Sequence, residues 1–186
     1  MEHYYTTLFH QWFNYPELYT HMVNVASESA HFVEVGSWKG ASAAYMAVEI
    51  INSGKKIKFD CIDTWKGSEE HNMLTPAQQE KLYIEFIKNI KPVSNVVNHY
   101  RIASSKAVEI YEDSTLDFVF IDAAHDYANV LFDIISWYPK VKKGGYIGGH
   151  DYHSDWPDVA KAVHSYFKNE KVLTNLNEHT WLYRKL

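Results

Sequence analysis

Apolar residues gather in five short runs along the chain: HFVEVG (31–36), IKFDCID (57–63), NVVNHY (95–100), LDFVFID (116–122) and GGYIGGHD (144–151). They are rich in β-branched and aromatic residues and lead into small or acidic ones, as strands buried on both faces of a parallel sheet do. Between them the apolar positions recur at helical spacing. Residues 40–52 carry Ala and Met on one face, and residues 127–137 place Val130, Leu131, Ile134 and Ile135 together. Thr75-Pro76-Ala77-Gln78 combines a hydroxyl N-cap, a proline at the first helical position and a glutamine able to close a capping box. A helix is predicted from there to about Asn89, before Lys91-Pro92 stops it, and another over about 158–167.

Strands alternating with helices imply right-handed crossovers and helices on both faces of a mostly parallel sheet. KVLTN (171–175) and HTWLYR (179–184) lie close enough in sequence to pair as a terminal hairpin. The predicted fold is an α/β, Rossmann-like, doubly wound and mostly parallel sheet of seven strands with an antiparallel C-terminal hairpin strand. A chain of 186 residues suits a single domain, and no repeat, low-complexity tract or linker divides it. Residues 1–27 are aromatic-rich and read as one or two helices broken near Pro16, forming a lid or an oligomer contact. Residues 28–186 form the core.

Composition narrows the partners. A formal net charge of −5 argues against a nucleic-acid ligand, which clustered Lys and Arg normally attract. Cys61 is the sole cysteine, which excludes an internal disulfide and a multi-cysteine metal site and fits a reducing cytoplasm. No apolar stretch approaches the roughly 18 to 20 residues that span a bilayer. The opening MEHYYTTLFHQWFNYPEL lacks the basic and then apolar order of a signal peptide, so no membrane contact is expected. Tyr4, Tyr5, Phe9, Trp12, Phe13 and Tyr15 carry so much apolar surface that a crevice or a second copy of the chain is expected to cover them.

Ligands of open α/β sheets sit beyond the carboxyl ends of the strands. The first strand ends in Glu34-Val35-Gly36-Ser37-Trp38-Lys39-Gly40, where Gly36 permits a tight turn and Gly40 lets the next helix start close to the sheet. An ordinary strand-to-helix turn uses glycine too, and the full G-x-G-x-x-G of dinucleotide sites is missing. Asp63 closes the second strand, at the interval where a carboxylate accepts hydrogen bonds from two ribose hydroxyls or caps a turn. The fourth and fifth runs end in Asp122-Ala123-Ala124-His125-Asp126 and Gly149-His150-Asp151-Tyr152, so carboxylates and imidazoles should converge. Neighbouring carboxylates repel unless a cation or a shared proton relieves them, and oxygen ligands favour Mg2+, Ca2+ or Mn2+. The alternative role is helix capping, favoured here for Asp126 and disfavoured for Asp122 and Asp151.

E-V-G-S-W-K-G-A-S, D-T-W, F-I-D-A-A-H-D-Y and K-K-G-G-Y-I-G-G-H-D-Y, in that order from residue 34 to 152, resemble the class I S-adenosylmethionine-dependent methyltransferases. Within them the chain is similar to the small-molecule O-methyltransferases related to macrocin O-methyltransferase and cephalosporin hydroxylase. The resemblance implies that Glu34, Gly36 and Ser37, with Gly40, hold the methionine end of S-adenosylmethionine. It puts Asp63 on the ribose, Trp65 and Ser104 beside the adenine, and Asp122 at the cofactor's edge. It further implies that Asp122 and Asp151 ligate a divalent metal, Mg2+ by the family pattern, with the preceding residue as third ligand. Here that residue is His150, where relatives carry a carboxylate or an amide. His125 takes the place of the catalytic base, its alternative being a histidine hydrogen-bonded beside the sheet.

These roles imply transfer of a methyl group to a small-molecule hydroxyl, of a sugar or a natural product. Trp38, Trp65, Trp156 and Tyr152 wall the acceptor pocket or belong to the core. A nicotinamide-dependent oxidoreductase and a silent nucleotide-binding module are the rival readings, since fold alone does not fix function. Acceptor specificity is expected from the N-terminal segment, residues 66–75 and residues 154–158, or from a neighbouring subunit.

Overall fold

The computed structural model describes residues 1–8, 12–67, 74–168, 170–175 and 177–186. Its strands are β1 (His31–Val35), β2 (Lys58–Asp63), β3 (Val97–Arg101), β4 (Leu116–Ile121), β5 (Val141–Gly149), β6 (Leu173–Asn175) and β7 (Thr180–Arg184). The helices are α1 (Pro16–Val25), α2 (Ala41–Ser53), α3 (Pro76–Ile90), the short α4 (Ser104–Ala107), α5 (Tyr127–Trp137) and α6 (Pro157–Phe167). All seven strands share one sheet in the order β3-β2-β1-β4-β5-β7-β6. β1 to β5 run parallel, and β7 enters antiparallel between β5 and β6.

Side chains alternate across a strand, and that period sorts the core into two layers. Phe32, Phe118 and Phe120 face α1, α2 and α3 through Tyr19, Met22, Met46 and Phe86. Val33, Val35, Val119 and Ile121 face α5 and α6 through Val130, Ile134, Trp137 and Phe167. This is the doubly wound arrangement expected from the strand and helix patterns. The Thr75–Gln78 capping box is in place at the start of α3. No described helix is long and apolar enough to cross a membrane.

Two details differ from expectation. Pro16 opens α1 instead of breaking a helix, because a proline at the first helical position lacks an N–H that would be unpaired there anyway. β5 starts at Val141, three residues before the predicted run, beside a register shift on β4 between Leu116 and Phe118. The predicted interval was polar there.

Strand order reverses between β1 and β4, so a crevice opens beyond their carboxyl ends. At its floor the two strand ends touch. Gly36 has φ +93°, and a Cβ built on it would lie 1.9 Å from the carbonyl oxygen of Asp122. Gly40 also has positive φ, but the atoms nearest its Cβ would be side chains, the ring of Phe86 at 2.9 Å and the tip of Ile90 at 3.1 Å, and not backbone. Gly36→Ala should therefore destabilise the fold by at least about 3 kcal/mol, since it adds a backbone clash to left-handed strain, and Gly40→Ala by less. Denaturant unfolding of the two variants checks the order. A Gly36→Ala protein as stable as Gly40→Ala would contradict it.

Candidate active site

The loop after β1 leaves Trp38 with φ +44°, a conformation costly for a bulky residue. Its neighbours hold it there. One carboxylate oxygen of Asp63, at the end of β2, accepts the backbone N–H groups of Ser37 at 3.0 Å and Trp38 at 2.8 Å, while the other accepts Trp65 N–H at 2.7 Å. The indole of Trp65 donates to the Trp38 carbonyl at 2.6 Å. Burial pushes the Asp63 carboxyl above its usual range, and these hydrogen bonds pull the other way. Asp63 and Trp65 thus clamp the loop from both sides.

Opposite the loop, β4 and β5 pair in register with Ile121 beside Gly149, so the residues that follow each strand emerge together. One ligand atom each from Asp122, His125 and Asp151 lies within 4.8 Å of the others. His150 Nδ1 stands 3.6 Å from Asp122 Oδ1 and 3.4 Å from Asp151 Oδ2. His125 Nε2 is 2.7 Å from that same Asp151 oxygen, and His153 Nε2 is 3.3 Å from Asp151 Oδ1. Burial lowers the pKa of His150, but the charges and hydrogen bonds of Asp122 and Asp151 outweigh it and push the value up to about 10. Burial likewise raises Asp151, yet His125 and His150 hold its carboxyl well below the carboxylate range. Asp151 has φ +57° and caps no helix, since the N-cap of α6 is Trp156 and no side chain caps it. Asp126, by contrast, is the N-cap of α5, accepting Asn129 N–H at 3.1 Å.

The N-terminal segment reaches into this cluster. Tyr15, 2% exposed, donates its hydroxyl to Asp122 Oδ2 at 2.8 Å, and Asn14 Oδ1 pairs with His150 Nε2 at 2.8 Å. Below them the buried Glu34 accepts the Tyr19 hydroxyl at 2.6 Å and keeps its other oxygen, Oε1, without a hydrogen-bond partner. A cavity of about 820 Å³ runs between the glycine loop and the imidazoles. That is a volume typical of small-molecule sites.

Gly36, Ser37, Gly40, Asp63, Ser104, Asp122, His125, His150 and Asp151 all line this cavity, as do Trp38 and Trp156. Three expectations change. Trp65, placed beside the adenine by resemblance, is fully buried against Tyr83 and Phe86, because its ring is the packing partner of α3. Glu34 lies fully buried behind the wall, not on it. Tyr152 is directed to His164 at 2.7 Å instead of into the cavity. Ser104 spends its hydroxyl on Asp133 and the Trp137 indole. Phe9 and residues 68–73 of the expected specificity segment lie outside the described residues. Sequence reasoning passed over Asn14, His153 and His179, all on the wall. Only the H-D-Y-H spacing after β5 offered a signal, for His153.

Residues 33–152 match a family described as a methyltransferase domain. A protein of Acanthamoeba polyphaga mimivirus described as uncharacterized protein R132 is 32% identical over 138 residues, covering 71% of this chain and 57% of that protein. The chain thus spans little more than half the length of that relative. The O-methyltransferase NovP has a similar structure, with a TM-score of 0.69, 17% identity, and 91% of this chain and 78% of NovP covered. The SAH-bound methyltransferase PaMTH1 of Podospora anserina gives a TM-score of 0.63 and 13% identity over 91% of this chain and 78% of its own. At these identities the structural likeness speaks for the fold.

Burial raises the Glu34 carboxyl from 4.5 to about 7, against the opposing pull of the Tyr19 hydrogen bond. The folded state therefore holds this proton more tightly than the unfolded chain. The stability it lends is complete below pH 4.5 and is lost as pH rises through about 7. The full effect is on the order of 3 kcal/mol. Glu34→Gln should remove that slope, so the stability difference between variant and wild type should grow in favour of the variant between pH 5 and 7.5. Parallel urea titrations across that range check it, and a constant difference would contradict the assignment.

Proposed function

The chain belongs to the methyltransferase-domain family, and from that premise we propose that it is an S-adenosylmethionine-dependent methyltransferase acting on a hydroxyl of a small molecule with the help of a divalent cation. The observation that carries the proposal is the cavity itself, with the glycine loop and Asp63 on one wall and Asp122, His125, His150 and Asp151 on the other. Its volume accommodates a nucleoside-sized cofactor together with a compact acceptor. A net charge of −5 speaks against nucleic acid as acceptor, and a cytoplasmic setting fits the single buried thiol, Cys61.

S-adenosylmethionine supplies a methyl group on a sulfonium sulfur and leaves as S-adenosylhomocysteine. Gly36 brings backbone close to its methionine end, and Ser37 and Gly40 continue that wall. Asp63 takes the ribose, though with less capacity than its position in the sequence suggests. A carboxylate offers about four acceptor sites, and Ser37, Trp38 and Trp65 occupy three of them. With the backbone N–H of Thr64 also lying on the carboxylate, there is room for at most one ribose hydroxyl. Ser104 borders the adenine through its backbone and Cβ, its hydroxyl being spent.

Asp122, Asp151 and His150 would hold the cation, which supplies Lewis acidity that lowers the pKa of an acceptor hydroxyl. The donor set fits the group. Asp122 and Asp151 each have one oxygen tied by Tyr15 or His153 and the other turned to the shared space. His125 acts as general base. Its Nε2 faces Asp151 at 2.7 Å, so the carboxylate orients the ring toward the cavity and stabilises the imidazolium that forms when it takes the hydroxyl proton. Its ring lies 4.5 Å from the Trp156 ring, which restricts its rotation. Asn14, Tyr15 and Trp12 form a lid over the acceptor end.

Calorimetric titration tests the cofactor assignment: S-adenosylmethionine should bind one to one, and NAD should give no heat. The reverse would support the oxidoreductase reading. His125→Ala should then lower turnover, followed as S-adenosylhomocysteine released with a panel of catechol and sugar acceptors, by about 100-fold or more. Its S-adenosylmethionine affinity should change less than threefold. Wild-type turnover in the variant would remove His125 from the role of base.

A further inference from the structure

The donor set at the ends of β4 and β5 differs from the all-oxygen set that Mg2+ demands, and the difference is on one residue, His150. Its Nε2 pairs with Asn14 Oδ1 at 2.8 Å, which assigns the ring proton to Nε2 in the neutral imidazole and turns the Nδ1 lone pair inward. That lone pair faces two carboxylate oxygens, Asp122 Oδ1 at 3.6 Å and Asp151 Oδ2 at 3.4 Å. With the imidazole neutral, Nδ1 and the two carboxylate oxygens are three acceptors around one space, and either a proton on Nδ1 or a cation supplies the positive charge they call for.

The two separations from His150 are those of ligands around one ion, and a ligand atom of Asp122 lies within 4.8 Å of one of Asp151. Donor atoms bound about 2.1 Å from a common ion stand about 3.0 Å apart in an octahedron and about 3.4 Å apart in a tetrahedron. Both His150 distances lie near the upper value. His125 does not fit that role: its Nε2 is 2.7 Å from Asp151 Oδ2, a hydrogen-bond separation shorter than either edge. Every prospective ligand is also braced from behind, Asp122 by the Tyr15 hydroxyl, His150 by Asn14 and Asp151 by His153. Such outer partners orient ligands in metal sites.

We propose that Asp122 Oδ1, His150 Nδ1 and Asp151 Oδ2 form a mixed nitrogen and oxygen site that selects a first-row transition ion, Mn2+ or Zn2+, over Mg2+. The proposal rests on the metal-assisted reading above and sharpens it. Imidazole is a borderline ligand that suits transition ions, whereas Mg2+ keeps to oxygen and dehydrates reluctantly. The bracing residues Asn14 and Tyr15 come from the N-terminal segment, so that segment belongs to the metal site as well as to the lid.

Titration of the chelator-treated full-length protein with MnCl2, ZnCl2 and MgCl2, with and without S-adenosylhomocysteine, tests it. Mn2+ should bind at least tenfold more tightly than Mg2+. Pulsed electron paramagnetic resonance of the Mn2+ form should show nitrogen modulation from one imidazole. That signal should vanish in His150→Asp, in which the Mn2+ preference should fall below threefold, and persist in His125→Gln. Equal or tighter Mg2+ binding by the wild type would overturn the selectivity and leave the metal reading intact. Modulation that survives in His150→Asp and disappears in His125→Gln would overturn the ligand set. Absence of binding by all three ions would overturn both this inference and metal assistance, leaving the cofactor assignment to its own titration.

Discussion

Two carboxylates at adjacent strand ends, shielded from water, must share a positive charge, and the arrangement around the cavity follows from that requirement. With Ile121 paired to Gly149 the register brings Asp122 level with His150, and the left-handed backbone at Asp151 turns the second carboxylate to within 4.8 Å of the first. The side chains are 20% and 14% exposed, so water screens them only in part. His150, His125 and His153 surround Asp151, while Tyr15 donates to Asp122. A proton on His150 supplies the charge, which is why its pKa is driven up despite burial. In the proposed metal-assisted reading, a cation would take that proton's place and the same atom would be a ligand. Tyr15, Asn14 and His153 hold the cluster from behind and fix where that charge sits.

The facing wall obeys a different constraint, the contact of backbone with backbone. Gly36 lies against the Asp122 carbonyl, so the glycine loop and the end of β4 cannot move independently. Trp38 is kept in a strained conformation because Asp63 accepts its N–H and Trp65 donates to its carbonyl. Strain of this kind persists where the surroundings over-determine it, and it gathers at functional sites. A flat cofactor lying along the loop would therefore meet a surface already set in shape, and the reacting ends of cofactor and acceptor would be directed to the carboxylates.

Much of this was legible in the sequence. The apolar runs and helical spacing announced the doubly wound sheet, since period and length are local properties of the chain. Asp122, His125, His150 and Asp151 could be picked out because the ends of parallel strands converge by topology, whatever the side chains. Long-range packing was less accessible. Trp65 follows Asp63 in the motif, yet its neighbours Tyr83 and Phe86 come from α3, so nothing nearby in sequence told its ring to enter the core. Asn14 and His179 reach the cavity from opposite ends of the chain, and no spacing rule connects them to β5. Asp63 was found, but its commitment to the loop was hidden, because backbone donors leave no trace in residue identity.

Diffraction from crystals grown with S-adenosylhomocysteine and MnCl2, recorded at the manganese edge, tests the central claim that one crevice brings a nucleoside cofactor and a cation together. The account predicts a single anomalous peak in bonding contact with Asp122, His150 and Asp151, and nucleoside density running along Gly36 with its ribose at Asp63. A peak at other residues, or nucleoside density away from the glycine loop, would contradict it.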